Sequence, residues 1–149
     1  MSHSIYDASV PQFLHMLGAM TKILDKAEAY AAARKIDPMV LSGARLYPDM
    51  LPLTRQVLIA CDFAKGAGAR LAGVEVPKYE DTETTFSELK ARIAKTCGFL
   101  KTLDRKAIEA GSGRDISLTS GGRKMEFKGN AYLTQFVLPN FYFHLATAY

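Results

Sequence analysis

From Ser9 to Arg34 the apolar residues Val10, Phe13, Leu14, Leu17, Met20, Leu24 and Ala27 recur at intervals of three and four. That spacing lines one face of an α-helix and no face of a strand. A helix of this length with a single greasy side needs a partner surface along that whole side. Pro11 is tolerated there because a first turn has no intrahelical donor to lose. The pattern returns three more times. Pro52 suits the start of a second helix reaching about Leu71, with Leu53, Gln56, Val57, Ala60, Ala64, Ala67 and Leu71 on one stripe whose small residues imply close packing. Thr85 with Glu88 three residues on is a capping box that opens a third helix at Phe86, ending near Leu103. A final helix, with Asn130 as its expected cap, takes Leu133, Phe136 or Val137, Asn140 and His144 on its inward stripe. Pro139 should kink it, since a mid-helix proline removes a backbone donor and crowds the preceding turn. Such helices satisfy one another only as a bundle.

The connections agree with that reading. "KIDPMVLSGARLYPDMLP", with Pro38, Pro48 and Pro52 and an Asp37-capped turn of helix, reads as an ordered connector. A short turn is expected through "DRKAIEAG". In "RDISLTSGGRKMEFKG", Ile116 and Leu118 on one arm and Met125 and Phe127 on the other alternate around Ser-Gly-Gly, which predicts a small hairpin. The expected architecture is an all-α bundle of four long helices with a small β-hairpin before the last, in one domain spanning 1–149.

Several function classes drop out on composition. No apolar run reaches the roughly 18 residues a membrane span needs, and "MSHSIYDASVPQF" lacks the basic and apolar regions of a secretory signal. A cytoplasmic location is therefore expected. Cys61 and Cys97 stand far apart in apolar helical settings, without a CxxC or Cys/His cluster, and read as buried, reduced thiols. The net charge of +4 is concentrated: between Phe86 and Lys106 six basic residues (Lys90, Arg92, Lys95, Lys101, Arg105, Lys106) face two acidic ones (Glu88, Asp104). Most of them alternate with apolar positions and read as that helix's solvated face; aromatic side chains do not alternate with the charges as single-strand nucleic-acid binders require, Phe99 alone standing among them, so no nucleic-acid partner is expected. "GAGARLAG" has the glycines of a phosphate loop, but no strand precedes it and it lies within a helical pattern. GxSxG, HExxH and Walker patterns are absent, against the common hydrolase, zincin and NTPase designs.

Five stretches carry a resemblance: "YDASVPQF", "ARLYPDMLPLTRQV", "DFAKGAGARLAG", "ETTFSELKARIAKT" and "LPNFYFHLATAY". In order and wording they resemble the DUF1993 family of bacterial proteins, a domain of unknown function, over nearly the whole chain. That family resembles the DinB/YfiT-like superfamily of four-helix bundles, many of them proposed metalloenzymes and some thiol-dependent transferases. The resemblance implies a bundle, frequently dimeric, whose pocket in metal-binding relatives holds three histidines. One lies in the second helix and two at His-x-x-x-His in the fourth, where positions i and i+4 share a face and can reach one ion. Carried over by position, the second-helix ligand falls at Gln56 and the fourth-helix pair at Asn140 and His144. Only His144 keeps an imidazole. Amide oxygens suit hard ions better than zinc, nickel or iron and bring no charge to offset a divalent cation. No metal site is assigned, and a divalent cofactor at His144, Asn140 and Gln56 is the alternative. Family members also run on past the position of Tyr149, so a continuation of the last helix is expected.

The residues themselves leave three functional readings. Gln56, Asn140 and His144, three inward polar residues on two helices, either satisfy one another in the core or begin a ligand pocket that Tyr142 would join. In a divergent metal-assisted transferase or hydrolase, His144 would be the catalytic ligand or general base. The third reading is a homodimeric interaction module, because Phe136, Phe141, Tyr142, Phe143 and Tyr149 exceed what one inward stripe can bury. Arg55 and Asp62 lie on another face of the second helix and are expected to pair with the connector or another subunit rather than to act in catalysis. Asp49 reads as a cap or loop anchor. His15 and His3 are not assigned as ligands.

Overall fold

The structure, a computed structural model, describes residues 4–149. Helix α1 (Val10–Arg34) begins with Pro11 in its first turn and ends where Lys35 adopts a left-handed conformation. The Lys35 and Ile36 amides there close back on the Ala32 and Ala31 carbonyls, a C-terminal cap that satisfies groups the helix end would otherwise orphan. Asp37 accepts from the Met39 amide at 2.9 Å and so caps the short α2 (Pro38–Ser42). Helix α3 (Leu53–Ala72) follows Pro52 and stops at Gly73, whose φ of 74° suits a residue without a Cβ. Thr85 and Glu88 form the reciprocal capping box of α4 (Phe86–Lys101). Helix α5 (Arg105–Ala110), capped by Asp104, makes the expected turn more helical than "DRKAIEAG" suggests. Strands β1 (Asp115–Ser120) and β2 (Arg123–Lys128) pair antiparallel, with Ile116 opposite Phe127 and Leu118 opposite Met125. Gly121 and Gly122 both have positive φ, as a two-residue hairpin turn matching strand twist requires.

Helix α3 is the axis of the bundle. It packs against α4 and α5 on one side and the last helix on the other, while α1 lies along α4. Phe13 of α1 meets Phe141 of the last helix edge to face at 4.9 Å, which closes the ring of helices. Lys90 bridges α4 to Asp25 and Glu28 of α1 at 2.9 and 2.8 Å. Of the "GAGARLAG" glycines, Gly66 and Gly68 lie inside α3, where Gly68 leaves room for Leu100 and Leu103, and Gly73 ends it. Farther on, Gly111 lies on the Leu71 carbonyl and Gly129 on the Gly111 carbonyl, so closely that any Cβ would collide with backbone. That crossing brings the chain from the hairpin back onto α3.

The last helix departs from its expected form. It opens as α6 (Gly129–Ala131), is wound as a π-helix over Tyr132–Val137, and continues as α7 (Leu138–Ala148). Asn130 does not cap it; the position before it is Lys128, with no side-chain cap bond. The distortion expected at Pro139 takes the form of wider winding just upstream, where the missing donor and the crowding ring disfavour a regular turn. Its buried stripe is Leu133, Val137, Phe141 and Leu145, and Asn140 and His144 lie one residue off it. Four-residue steps overshoot a 3.6-residue turn, and the slower π winding takes up the drift. The polar pair is thereby left on the flank toward α3 and not in the centre.

Candidate functional site

Gln56, in the first turn of α3, is 3% exposed and therefore must satisfy its amide inside the protein. Its Nε2 donates to the Leu51 carbonyl at 3.2 Å, just before α3 begins. With the NH2 group so placed, Oε1 faces His144 Nδ1 at 2.7 Å. A carbonyl oxygen only accepts, so Nδ1 carries the proton and Nε2 keeps its lone pair. Burial pushes the His144 imidazole below the ordinary histidine value, which favours the neutral ring. Its flat face stacks on Phe63 at 5.9 Å and 19°, and Phe143 meets it edge-on at 5.1 Å. The ring is held in one orientation and one tautomer, with Nε2 available as an acceptor.

The other sequence-predicted residues are not all drawn to this pair. Asn140 turns back on its own helix, Nδ2 donating to the Phe136 carbonyl at 2.7 Å across the π segment. Tyr142 is 39% exposed and lines an apolar groove against Met16, Met20 and Ile23 of α1, away from Gln56. It does not join the polar pair, because successive residues of a helix point to different sides. Arg55 pairs at 2.6 Å with Asp81 of the loop between α3 and α4, an ion pair within the chain. Asp62 lies 2.8 Å from Lys65. Asp49 is exposed three residues ahead of Pro52, which holds the cap position of α3, so it does not cap that helix. His15 is exposed on α1, and His3 lies outside the described residues. The donor set does not fit a transition metal: Gln56 Oε1 is engaged by the His144 N–H, Asn140 faces a backbone carbonyl, and neither brings charge.

A charged cluster on the opposite flank of α3 was missed by the periodic reading. Arg92 belongs to the basic run read as a solvated face, yet its side chain is 2% exposed. Nε meets Glu83 Oε1 at 2.6 Å, and Nη2 meets Glu83 Oε2 at 3.1 Å and Asp81 Oδ1 at 3.2 Å. Nη2 also donates to the Glu80 carbonyl. Nη1 lies 3.9 Å from Asp62, too far for a direct hydrogen bond. Burial lowers the Arg92 pKa and its carboxylate partners raise it, with a net rise, so the charge is permanent. The ring of Tyr79 receives Lys65 at 4.2 Å, Lys95 at 4.1 Å and Arg92 at 5.3 Å over its face, a cation–π cage. The whole assembly pins the loop of residues 74–85 onto α3 and α4. One signal was legible: Arg92 falls three residues after Leu89 and four before Thr96, both fully buried, and so lies in phase with the core.

Beyond Phe63 the surface of α3 is covered by aromatic side chains of the hairpin and the last helix. Phe63 meets Phe136 at 5.6 Å, and Phe136 in turn stacks on Phe127 and Tyr132 at 5.5 and 6.0 Å. Between this shelf and the hairpin runs a groove of about 150 Å³, lined by Ile59, Asp62, Phe63 and Arg70 of α3, by Leu118, Thr119 and Ser120, and by Tyr132 and Phe136. His144 stacks on Phe63, one of the residues lining this groove.

The sequence of this chain matches the family model described as "Domain of unknown function (DUF1993)" over residues 5–149. A crystal structure of a DinB family member protein from Shewanella denitrificans superposes with a TM-score of 0.86 at 40% sequence identity, covering 97% of this chain and 82% of that one. Comparison with curated proteins found no match. Among the described residues no helix is long and apolar enough to cross a membrane. With a match over nearly its full length and a DinB-like bundle carrying a two-stranded hairpin before the last helix, the chain belongs to the DUF1993 family of domains of unknown function.

Proposed function

We propose that this protein binds a small organic ligand without a metal, in the groove between α3, the hairpin and the last helix, with His144 Nε2 as an acceptor at its edge. The observation that carries the reading is the fixed imidazole: Leu51 orients Gln56, Gln56 orients His144, and the ring stacks on the Phe63 floor of the groove. Three groups spent on holding one neutral nitrogen in place are the economy of a recognition site, which needs apolar walls and a few directed polar groups. The alternative, a divergent DinB-like metal-dependent transferase or hydrolase, asks Gln56 for an oxygen that already accepts from His144 and Asn140 for an uncharged amide oxygen.

Metal analysis of the purified protein and of His144→Ala, combined with thermal-shift screening of a small-molecule panel, separates these readings. The ligand reading expects no stoichiometric metal in either form and at least one compound that stabilises wild type but not His144→Ala. Stoichiometric metal lost in the variant, or a panel with no such compound, sinks it.

The reading extends to a cytoplasmic homodimer. Support comes from Tyr142 and Phe143, 39% and 55% exposed, beside an apolar groove of about 250 Å³ lined by Met16, Met20, Ile23 and Leu145, the kind of patch that monomers rarely leave bare. Light scattering at micromolar concentration is expected to give a dimer for wild type and a monomer for Tyr142→Glu; a wild-type monomer refutes the assembly.

A further inference from the structure

We infer that the ligand of this groove is a small aromatic carboxylate whose anionic group is taken by Arg70. The inference rests on the proposed ligand groove and deepens it by naming the ligand class. Three neighbouring cations are already paired: Arg55 with Asp81, Lys65 with Asp62, and Arg92 with Glu83. Arg70 is half-buried, and among the described residues it has no carboxylate within ion-pair distance. Among the described residues its one side-chain hydrogen-bond partner is neutral, the Tyr132 hydroxyl at 3.0 Å from Nη1, and its guanidinium lies 6.0 Å from the centre of that ring. A charged group held in a concave site without a counter-charge is complementary to an anion.

The seat is built and not incidental. Gly66, one turn earlier on α3, gives the guanidinium space to lie back along the helix: a Cβ there would stand 2.5 Å from Arg70 Nη1. Tyr132, 1% exposed, anchors Arg70 from the other side. Beyond the guanidinium the floor is Phe63, Phe136 and Ile59, and the volume of about 150 Å³ is that of a cavity known to hold benzene. Asp62 also lines the groove, but its charge is offset by Lys65 at 2.8 Å and Arg92 at 3.9 Å. Thr119 and Ser120 bring hydroxyl groups to the rim. An apolar body one ring in size with a planar anion matches this lining, because a carboxylate accepts the parallel donors of a guanidinium fork.

Isothermal titration of the full chain with benzoate and with its neutral counterpart benzamide tests the assignment. Saturable benzoate binding is expected, with benzamide at least about 10-fold weaker and Arg70→Met weaker for benzoate by a similar factor, as loss of a charged hydrogen-bond partner implies. Gly66→Ala keeps the charge but displaces the guanidinium, so a several-fold loss is expected there with an unchanged circular dichroism spectrum. Equal affinity for benzamide, or unaltered benzoate binding in both variants, overturns the carboxylate assignment and leaves the groove itself standing. If wild type binds neither compound the inference is overturned, and the groove is then judged by the His144-dependent panel alone.

Discussion

Replacing Arg92 by Met tests whether the charged cluster holds the loop of residues 74–85 in place. Methionine preserves the apolar stem and removes only the guanidinium. Three carboxylates lose a partner, but not equally. Asp81 keeps Arg55 at 2.6 Å and Asp62 keeps Lys65 at 2.8 Å, whereas Glu83, whose side chain is 14% exposed, keeps nothing. Removing one member of a buried ion pair costs about 3–5 kcal/mol, mostly from the stranded charge. With one stranded carboxylate of three, the lower end applies, about 3 kcal/mol. At roughly 2–4 °C per kcal/mol for a chain of this size, the midpoint should fall by about 6–12 °C. Urea unfolding of wild type, Arg92→Met, Glu83→Gln and the double variant measures this as a cycle. The double variant strands no charge and should regain about 1–2 kcal/mol relative to Arg92→Met. Limited proteolysis should cut the loop of residues 74–85 faster in Arg92→Met than in wild type. A cost below about 1 kcal/mol for Arg92→Met, or strictly additive effects in the cycle, would refute the hub.

Burial depresses the His144 pKa in the folded state, so the unfolded chain binds the proton more readily and stability must fall as pH drops through the histidine range. The stability advantage of wild type over His144→Gln, followed by urea unfolding, should therefore be larger at pH 7.5 than at pH 5.5; an advantage that grows toward acid contradicts a ring held neutral. Cys61, fully buried, has its thiol pushed up to about 12, chiefly by burial. Burial also raises Cys97, which is partly exposed. A thiol-reactive dye at pH 8 should modify Cys97 slowly in the native protein and Cys61 only after unfolding; equal native rates would contradict the packing around α3. Asn140→Ala removes the 2.7 Å bond to the Phe136 carbonyl and should cost about 1 kcal/mol in thermal or urea unfolding, while a neutral result would mean the π segment needs no side-chain support.

How far the site was legible depended on how local its causes are. The pairing of Gln56 with His144 rests on a resemblance by position and on two polar residues lying near apolar stripes, and both signals are in the chain. The fate of Asn140 was hidden by the π segment, which displaces everything after Val137 relative to a regular helix. Arg92 looked like surface because charge outweighs phase in a pattern reading, yet its position between Leu89 and Thr96 places it inward. Arg70 offered no signal at all. Its seat depends on Gly66 one turn back and on Tyr132 sixty-two residues on, and its lack of a counter-charge is a property of the assembled surface.

By itself the sequence determined the positions of the long helices, the caps at Asp37 and Thr85 and the hairpin turn, because each of these rests on groups a few residues apart. Thr85 reaches Glu88, Asp37 reaches Met39, and Gly121 and Gly122 adopt their φ values within one turn. Tertiary structure alone decided which polar side chains face one another. A residue's neighbour across a bundle is set by helix phase, and one residue of phase turns a side chain by roughly 100°. One π segment is thus enough to keep His144 on Gln56, turn Asn140 onto its own backbone and leave Tyr142 to the outside. Arg92 and Arg70 mark the same limit from the side of charge: each was countable in the chain, but whether it met a carboxylate or was left without one depended on what the fold brought beside it.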